Sequence, residues 1–178
     1  MSDTAHSAAT AAAATVARWR AAAERGDPEA AAACLSPDVV LVSPLTGRFR
    51  FEGSDQVRGF LDSALRAVEN IRFHTQTGEG DVYALAYRAR VGSEPFEEAQ
   101  LLRLDDEGRI GEITLFGRPM PALSALMTVV GPDLARRQGR RGVAALMRAS
   151  TAPLHAMVTS GDRWLVPLTR PGTGRARA

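Results

Sequence analysis

Residues 24–47, ERGDPEAAAACLSPDVVLVSPLTG, contain the end of one predicted helix, a second short helix and the first predicted strand. Gly26 is a residue type that commonly ends helices, and the Asp-Pro pair after it is typical of an N-cap followed by proline in the first turn. The Ser-Pro pair at 36–37 is expected to stop the short helix, because proline cannot continue it. The apolar run at 39–42 then predicts a β-strand.

A longer helix is predicted on each side of this stretch. Upstream, residues 10–25 carry an apolar stripe whose largest side chain is Trp19. Downstream, residues 54–68 repeat apolar side chains at i, i+3 and i+4 for three turns, with Ser54 as the predicted N-cap. Residues 44–53 are predicted to form a loop with a small hairpin.

Four strands separated by short turns rich in Gly, Asp and Glu follow the second long helix. They are predicted at residues 70–77, 82–91, 96–104 and 109–117. Such short connections favour antiparallel pairing, so these strands are expected to form a meander. The order of two helices, a strand, a helix and four strands is an α+β pattern.

Beyond residue 119 the sequence changes character. Two further helices are predicted, at residues 121–130 and 143–157, with an interruption at Pro153. Between them lie four arginines at positions 136, 137, 140 and 141. No aromatic side chains that could stack on bases are interleaved with these arginines, so we expect a solvated helix end and no nucleic-acid partner.

The predicted domain organisation has four parts. Residues 1–11 and 171–178 are expected to be disordered because they are small, polar or rich in Gly, Pro and Arg. Residues 12–119 form the predicted domain, and residues 120–170 form a helical C-terminal extension.

The composition excludes several classes of protein. Of the 178 residues, 45% are hydrophobic and 24% are charged, which is ordinary for a globular protein and unlike a collagen or a disulfide scaffold. All basic residues are arginine, and the net charge is only +2. Cys34 is the only cysteine, no apolar run approaches the ~18 residues of a membrane span, and the N-terminus lacks the basic region of a secretory signal. We therefore expect a cytoplasmic protein without a membrane partner.

The stretch at 24–47, the long helix after it and a meander that ends in DDEGRIGEITLFGRP at 105–119 together resemble the nuclear transport factor 2-like superfamily. Within it, the resemblance is to SnoaL-like proteins and covers about residues 12–119. It implies an α+β cone, in which a curved antiparallel sheet wraps around the helices and leaves an apolar pocket at the open end. The superfamily hosts many functions, so the resemblance alone does not specify an activity.

Ketosteroid isomerases of this superfamily use a tyrosine and two carboxyl groups. The resemblance places these three positions on Trp19, Ser43 and Gln100. Because a serine is not a base at neutral pH, isomerisation by that mechanism is not expected here. The two aspartates that limonene epoxide hydrolase places around its arginine are also missing.

Glu112 is the carboxylate that we single out as a candidate acid or base. It shares a predicted strand face with Ile110, Thr114 and Phe116, and the resemblance turns that face inward. Desolvation there would raise the pKa of Glu112. The alternative is a glutamate paired with an arginine on the neighbouring strand.

The remaining predicted pocket residues are aromatic, apolar or small and polar: Trp19, Ser43, Phe60, Tyr83, Tyr87, Gln100, Leu102, Thr114 and Phe116. The three histidines have no metal-ligand spacing, so neither a metal nor another cofactor is expected. The opposite face of the sheet is also apolar and is the predicted homodimer interface. Its members are Val82, Ala84, Ala86, Ile113 and Leu115.

Two functions remain open at this point. The first is a SnoaL-like pocket protein that acts on a hydrophobic small molecule as a cyclase, isomerase or hydratase, by general acid/base chemistry. The second is a non-catalytic ligand-binding or assembly module that has lost the acid/base residues. An enzyme of the first kind should place at least one desolvated titratable group in its pocket, whereas a binder needs none.

Overall fold

The computed structural model describes residues 2–171, and for residues 2–9 the backbone alone. The helices are α1 (Ser2–Arg25), α2 (Pro28–Ala32), α3 (Ser54–Ala67), α4 (Met120–Arg137) and α5 (Arg141–Trp164), with a 3-10 helix at Val166–Thr169. The strands are β1 (Leu35–Val42), β2 (Phe51–Glu52), β3 (Val68–Glu79), β4 (Val82–Val91), β5 (Glu94–Leu104) and β6 (Ile110–Arg118). Residues 172–178, which belong to the predicted disordered tail, lie outside the described residues.

The six strands form one curved, unclosed sheet in the order β2-β1-β6-β5-β4-β3. Strands β3 to β6 form the predicted antiparallel meander. Strand β2 pairs antiparallel with β1, so the hairpin includes the first strand, whereas the predicted small hairpin lay within residues 44–53. Strand β1 also pairs in parallel with β6, a contact between strands far apart in the sequence that the short-connection rule does not predict. The α+β cone predicted from the sequence is confirmed.

The junction between α1 and α2 follows the predicted chemistry. Gly26 has φ of +64°, a left-handed conformation that suits glycine, and its N–H donates to the carbonyl of Ala23 at 3.0 Å. The Asp27 carboxylate accepts a hydrogen bond from the backbone N–H of Ala30 at 3.0 Å, as an N-cap does.

Two helix starts differ from the predictions. Helix α1 begins at Ser2, so the residues from 2 to 11 that were predicted to be disordered are helical. Ser54 is the first helical residue of α3 and makes no capping bond, because Gly53 occupies the N-cap position.

A β-bulge determines which side chains of β6 face the helices. Leu104 of β5 pairs with Ile110, whereas the preceding Arg103 pairs with Glu112. Gly111 is therefore an extra residue on β6. A bulge of this kind reverses the alternation of side chains for the rest of the strand.

The inward face predicted for the later part of β6 is therefore wrong. Ile113 and Leu115 face the core, where they are buried, although both were assigned to the outer face. Glu112 and Thr114 are only half-buried on the outer face, and Phe116 is 58% exposed there. Simple alternation from Ile110 gives the opposite result because it does not include the bulge.

The helical extension, α4 and α5, packs across the sheet at Gly117. A Cβ atom on Gly117 would lie 2.7 Å from Cδ2 of Leu123 and 2.9 Å from Cε2 of Phe96. A side chain at this position would displace the side chains of Leu123 and Phe96. Helix α5 packs on α4, with the Ser124 Oγ 2.9 Å from the Nδ1 of His155.

Helix α5 is not interrupted at Pro153, which corrects the predicted break. Proline leaves the carbonyl four residues earlier without its helical donor. Pro153 and Ala149 are both exposed, so water can solvate that carbonyl and the helix continues.

Asp133 attaches the extension to α3. Its carboxylate accepts hydrogen bonds from the Ser63 hydroxyl at 2.6 Å, from Arg136 at 2.7 Å and from Arg137 at 2.8 Å. These bonds, the one from Ser63 foremost, hold the pKa of Asp133 well below its usual range. Arg137 also forms an ion pair with Asp62 of α3.

We predict that Asp133→Asn lowers the free energy of unfolding by about 1 to 2 kcal/mol, because the charge-assisted bonds to Ser63 and the arginines are weakened. Urea unfolding at neutral pH measures this loss. Asp162→Asn is the matched control, because Asp162 lies on the same extension and is exposed. Equal stabilities of the two variants would contradict the role of Asp133.

Candidate functional site

Four buried polar side chains form one hydrogen-bonded chain on the inner face of the sheet. The Nε1 of Trp19 donates to Oε1 of Gln100 at 2.9 Å, and the Nε2 of Gln100 donates to Oε1 of Glu98 at 3.0 Å. The Tyr87 hydroxyl donates to the same Glu98 oxygen at 2.9 Å. None of the four residues is more than 7% exposed.

The strand register brings these side chains together. Tyr87 of β4 lies directly opposite Glu98 of β5, so their side chains project from the same face of the sheet. Gln100 follows Glu98 by two residues and therefore shares that face. Trp19 extends from α1 across the core and joins this hydrogen-bonded chain at Gln100.

Burial controls the titration of Glu98. Desolvation raises the pKa of Glu98 to about 7, although the hydrogen bonds from Gln100 and Tyr87 act in the opposite direction. The pKa of Tyr87 is raised well above its usual value by burial and by the neighbouring carboxylate. Glu98 can therefore either hold or release a proton near neutral pH, while Tyr87 keeps its proton.

The adjacent glutamate shows the opposite behaviour. Glu97 points to the outer face, where Arg118 Nε donates to it at 2.6 Å and Arg88 lies 3.7 Å away. The bond from Arg118 and the nearby positive charge lower the pKa of Glu97. The pKa values of Glu97 and Glu98 therefore shift in opposite directions because the two side chains lie on opposite faces of the sheet.

Glu98 and Gln100 line a small cavity, the inner chamber, of about 40 Å³. Both hydrogen bonds to Glu98 end on Oε1, and no described residue donates to Oε2. The lining of the inner chamber contains four polar or amphipathic side chains, those of Trp19, Tyr87, Glu98 and Gln100. The other lining residues are apolar: Ala23, Ala31, Leu41, Pro44, Phe60, Leu61, Ala64, Leu65, Val68, Ile71, Ile113, Leu115 and Leu126. The inner chamber thus presents a titratable carboxyl group to a largely apolar space.

A second cavity, the outer chamber, has a volume of about 260 Å³. It lies between the loop after β1, α3 and the helical extension. Its lining is Ser43, Leu45, Thr46, Phe49, Phe51, Phe60, Met127, Val130, Gly131, Leu134, Met147 and Thr151. Phe60 borders both chambers.

Comparison with known proteins identifies the family. Residues 16–113 match the SnoaL-like domain family. The chain belongs to this family. A search of curated protein sequences finds no match.

Solved structures share the SnoaL-like fold. A steroid delta-isomerase from Pseudomonas aeruginosa is 32% identical, with a TM-score of 0.62, over 72% of this chain and 92% of the isomerase. A protein with a cystatin-like fold from Silicibacter pomeroyi is 24% identical, with a TM-score of 0.63, over 76% of this chain and 92% of its own. A third structure is that of an epoxide hydrolase/cyclase-like enzyme with a role in pyran ring formation in the polyether salinomycin. It is 20% identical, with a TM-score of 0.53, over 62% of this chain and 92% of its own. The last two show the fold alone.

The structure distributes the predicted site residues of this SnoaL-like protein over several places. Four of them line the inner chamber: Trp19, Phe60, Tyr87 and Gln100. Ser43 lines the outer chamber. Tyr83 and Leu102 are buried and line neither chamber. Glu112, Thr114 and Phe116 lie on the outer face because of the bulge at Gly111, so their placement in the pocket is wrong.

Glu98, the titratable carboxyl group of the inner chamber, is missing from the predicted site. A signal for it exists, because Phe96, Glu98, Gln100 and Leu102 alternate along one face of β5, and Gln100 and Leu102 were already placed inward. Glu97 and Glu98 are adjacent in the sequence, and two adjacent glutamates are typical of a solvated surface. For this reason the alternation along β5 was not applied to Glu98.

Among the described side chains, no three His, Cys, Asp or Glu residues cluster as metal ligands would. Within the described part of this SnoaL-like chain, no helix has the length and apolar character needed to cross a bilayer.

We predict that the buried carboxyl group makes the fold less stable as pH rises. The unfolded chain releases the Glu98 proton near 4.5, whereas the folded protein keeps it up to about 7. The free energy of unfolding should therefore fall by about 3 kcal/mol across this pH window on account of Glu98, and stay low above it. Glu98→Gln, which mimics the protonated form, should remove this fall.

Urea unfolding of both proteins between these two pH values measures the effect. The stability difference between wild type and Glu98→Gln should change in favour of the variant as pH rises. Parallel stability curves would show that the pKa of Glu98 is not raised by burial.

Proposed function

We propose that this SnoaL-like protein is an enzyme that moves a proton within a hydrophobic small molecule, with Glu98 as the general acid/base. The observation that carries the proposal is a desolvated carboxyl group, with a pKa of about 7, in the wall of an apolar chamber. General acid/base catalysis is most effective when the pKa of the group lies near the working pH. The similarity to a protein described as a steroid delta-isomerase supports the same class of reaction.

The arrangement suits the shift of a double bond next to a carbonyl group. The Glu98 carboxylate, through Oε2, removes a proton from the carbon beside the carbonyl, and the negative charge moves to the carbonyl oxygen. One N–H of the Gln100 amide donates to Glu98, and the second N–H donates to the carbonyl oxygen of the substrate. Glu98 then returns the proton to a different carbon, so the reaction needs no further reactant.

Trp19 and Tyr87 act as positioning residues in this scheme. Trp19 donates to the carbonyl oxygen of the Gln100 amide and so fixes which end of the amide faces Glu98. Tyr87 holds Oε1 of Glu98, which leaves Oε2 for the substrate. Neither residue is the base.

The alternative is a non-catalytic binding or assembly module. A module of that kind has no need of a titratable group in its pocket, and burying one destabilises the fold. Glu98 therefore favours the enzyme over the binder. It also replaces Glu112 as the acid/base of the proposed reaction, since the carboxylate of Glu112 lies on the outer face.

We predict that Glu98→Gln lowers kcat for isomerisation of a hydrophobic β,γ-unsaturated ketone by about 100-fold or more. The conjugated product absorbs in the ultraviolet, which gives the assay. In the wild type, kcat should rise with pH and reach half its maximum near pH 7, because only the deprotonated carboxyl group of Glu98 accepts the proton.

Glu112→Gln is the matched control, since it makes the same chemical change on the outer face. It should keep wild-type turnover and the same pH profile. Full activity of Glu98→Gln, or the loss of activity in Glu112→Gln alone, would contradict the proposed mechanism.

We also propose that the protein forms a homodimer through the outer face of the sheet. Five apolar side chains and one threonine form two cross-strand rows on this face: Ala84, Leu101 and Thr114, and Ala86, Ala99 and Phe116. Ala99 is exposed in the second row, and Phe116 is 58% exposed. Exposed apolar rows of this kind are typical of protein–protein contacts.

Sedimentation velocity at micromolar concentration tests the homodimer, and we predict a dimer for the wild type. Phe116→Glu should give a monomer, because a charge would be buried at the centre of the interface. Leu146→Glu, at an exposed apolar position of α5, should leave the dimer intact. A monomeric wild type would exclude the proposed interface.

A further inference from the structure

We infer that the outer chamber binds the apolar body of an elongated ligand whose small hydrogen-bonding head group lies in the inner chamber. The placement of the head group rests on the function proposed for Glu98. The placement of the body rests on the volume, the lining and the position of the outer chamber.

Volume is the first reason to assign the body to the outer chamber. The inner chamber, at about 40 Å³, accommodates a head group of a few atoms and no more. The outer chamber, at about 260 Å³, exceeds the roughly 150 Å³ of an engineered apolar cavity that binds benzene. A hydrophobic ligand that reaches Glu98 therefore needs the outer chamber for most of its atoms.

The lining of the outer chamber selects an apolar ligand. Its walls consist mainly of large apolar side chains: Leu45, Phe51, Met127, Val130, Leu134 and Met147.

The hydroxyl groups of the outer chamber are already engaged with the backbone. Thr151 donates to the carbonyl of Met147 at 2.7 Å, and Ser43 accepts from the N–H of Leu45 at 3.2 Å. Thr46 accepts from the N–H of Arg48 at 3.1 Å. Each of the three hydroxyl groups thus already has one backbone partner, and an apolar chain gains contact with the large apolar side chains of the lining.

The two chambers are adjacent to each other. The ring of Phe60 borders both, and its centroid lies 4.9 Å from that of Phe51, which lines the outer chamber. Consecutive residues of α4 also divide between them, with Leu126 on the inner and Met127 on the outer chamber. A ligand that occupies both spaces therefore has to pass Phe60.

The outer chamber adjoins a groove on the protein surface. Phe49, which is 57% exposed, lies in its wall and also borders a neighbouring surface groove. Phe51 and Leu134 line the same groove. The shared lining residues favour entry of the ligand from the groove through the outer chamber toward Glu98.

The helical extension provides much of the outer chamber. Met127, Val130, Gly131 and Leu134 come from α4, and Met147 and Thr151 come from α5. All of them lie beyond the residues that match the SnoaL-like family. The extension therefore determines the length of ligand that this protein accepts.

Isothermal titration calorimetry with a series of methyl n-alkyl ketones, from butanone upward, tests the inference on the full chain. The Kd should fall by about fourfold for each added methylene, the gain expected when a methylene is buried, until the outer chamber is full. Butanone, which needs the inner chamber alone, should bind weakly.

Met127→Trp fills the outer chamber and should abolish the dependence of Kd on chain length, while the Kd of butanone stays unchanged. Val129→Trp is the matched control, because it adds the same side chain at a position of α4 that is 43% exposed and borders neither chamber. Thermal melting checks that both variants fold. If Met127→Trp does not fold, Thr151→Leu fills part of the chamber with a smaller change.

The outcomes separate this inference from the function proposed for Glu98. In Glu98→Gln the fourfold gain per methylene should persist even though turnover is lost. A Kd that does not depend on chain length, or an equal response of Met127→Trp and Val129→Trp, overturns the inference while leaving the role of Glu98 intact. If Glu98→Gln keeps full activity while the Kd still falls with chain length, the proposed function is overturned and the inference about the outer chamber stands.

Discussion

A carboxyl group enclosed by apolar side chains either keeps its proton or needs donors that hold its charge, and the surroundings of Glu98 balance these two states. Burial favours the neutral acid, while Gln100 and Tyr87 stabilise the anion. This balance requires α1, β4 and β5 in one fixed arrangement, because Trp19 orients Gln100 and the strand register places Tyr87 opposite Glu98. The rest of the cone supplies the apolar enclosure that makes the balance possible.

The helical extension turns this buried group into part of a larger site. Leu126 of α4 closes the inner chamber, and the remainder of α4 and α5 forms a wall of the outer chamber. Asp133 holds the extension in this position through its bonds to α3 and to the arginines of its own helix. The family fold thus supplies the chemistry, and the extension supplies the space for the rest of the ligand.

Local signals in the sequence predict most of the fold. The Asp27 cap, the glycine after α1 and the short turns identify the elements and the antiparallel meander, since each depends on neighbouring residues alone. The parallel pairing of β1 with β6 and the bulge at Gly111 depend on contacts far apart in the chain, so no local pattern contains them. The bulge explains why Glu112 was placed inward, whereas Glu98 was accessible to reasoning from the alternation along β5.

The pKa of Glu98 tests most directly whether burial makes this carboxyl group an acid/base near neutral pH. Carbon-detected NMR of the protein labelled at glutamate side-chain carboxyl carbons, followed across pH, gives this value, and Glu98→Gln assigns the signal. We predict a carboxyl group that titrates near 7, separated from the other glutamates of the chain. A titration of Glu98 near 4.5, in the usual range of an exposed glutamate, would contradict this prediction.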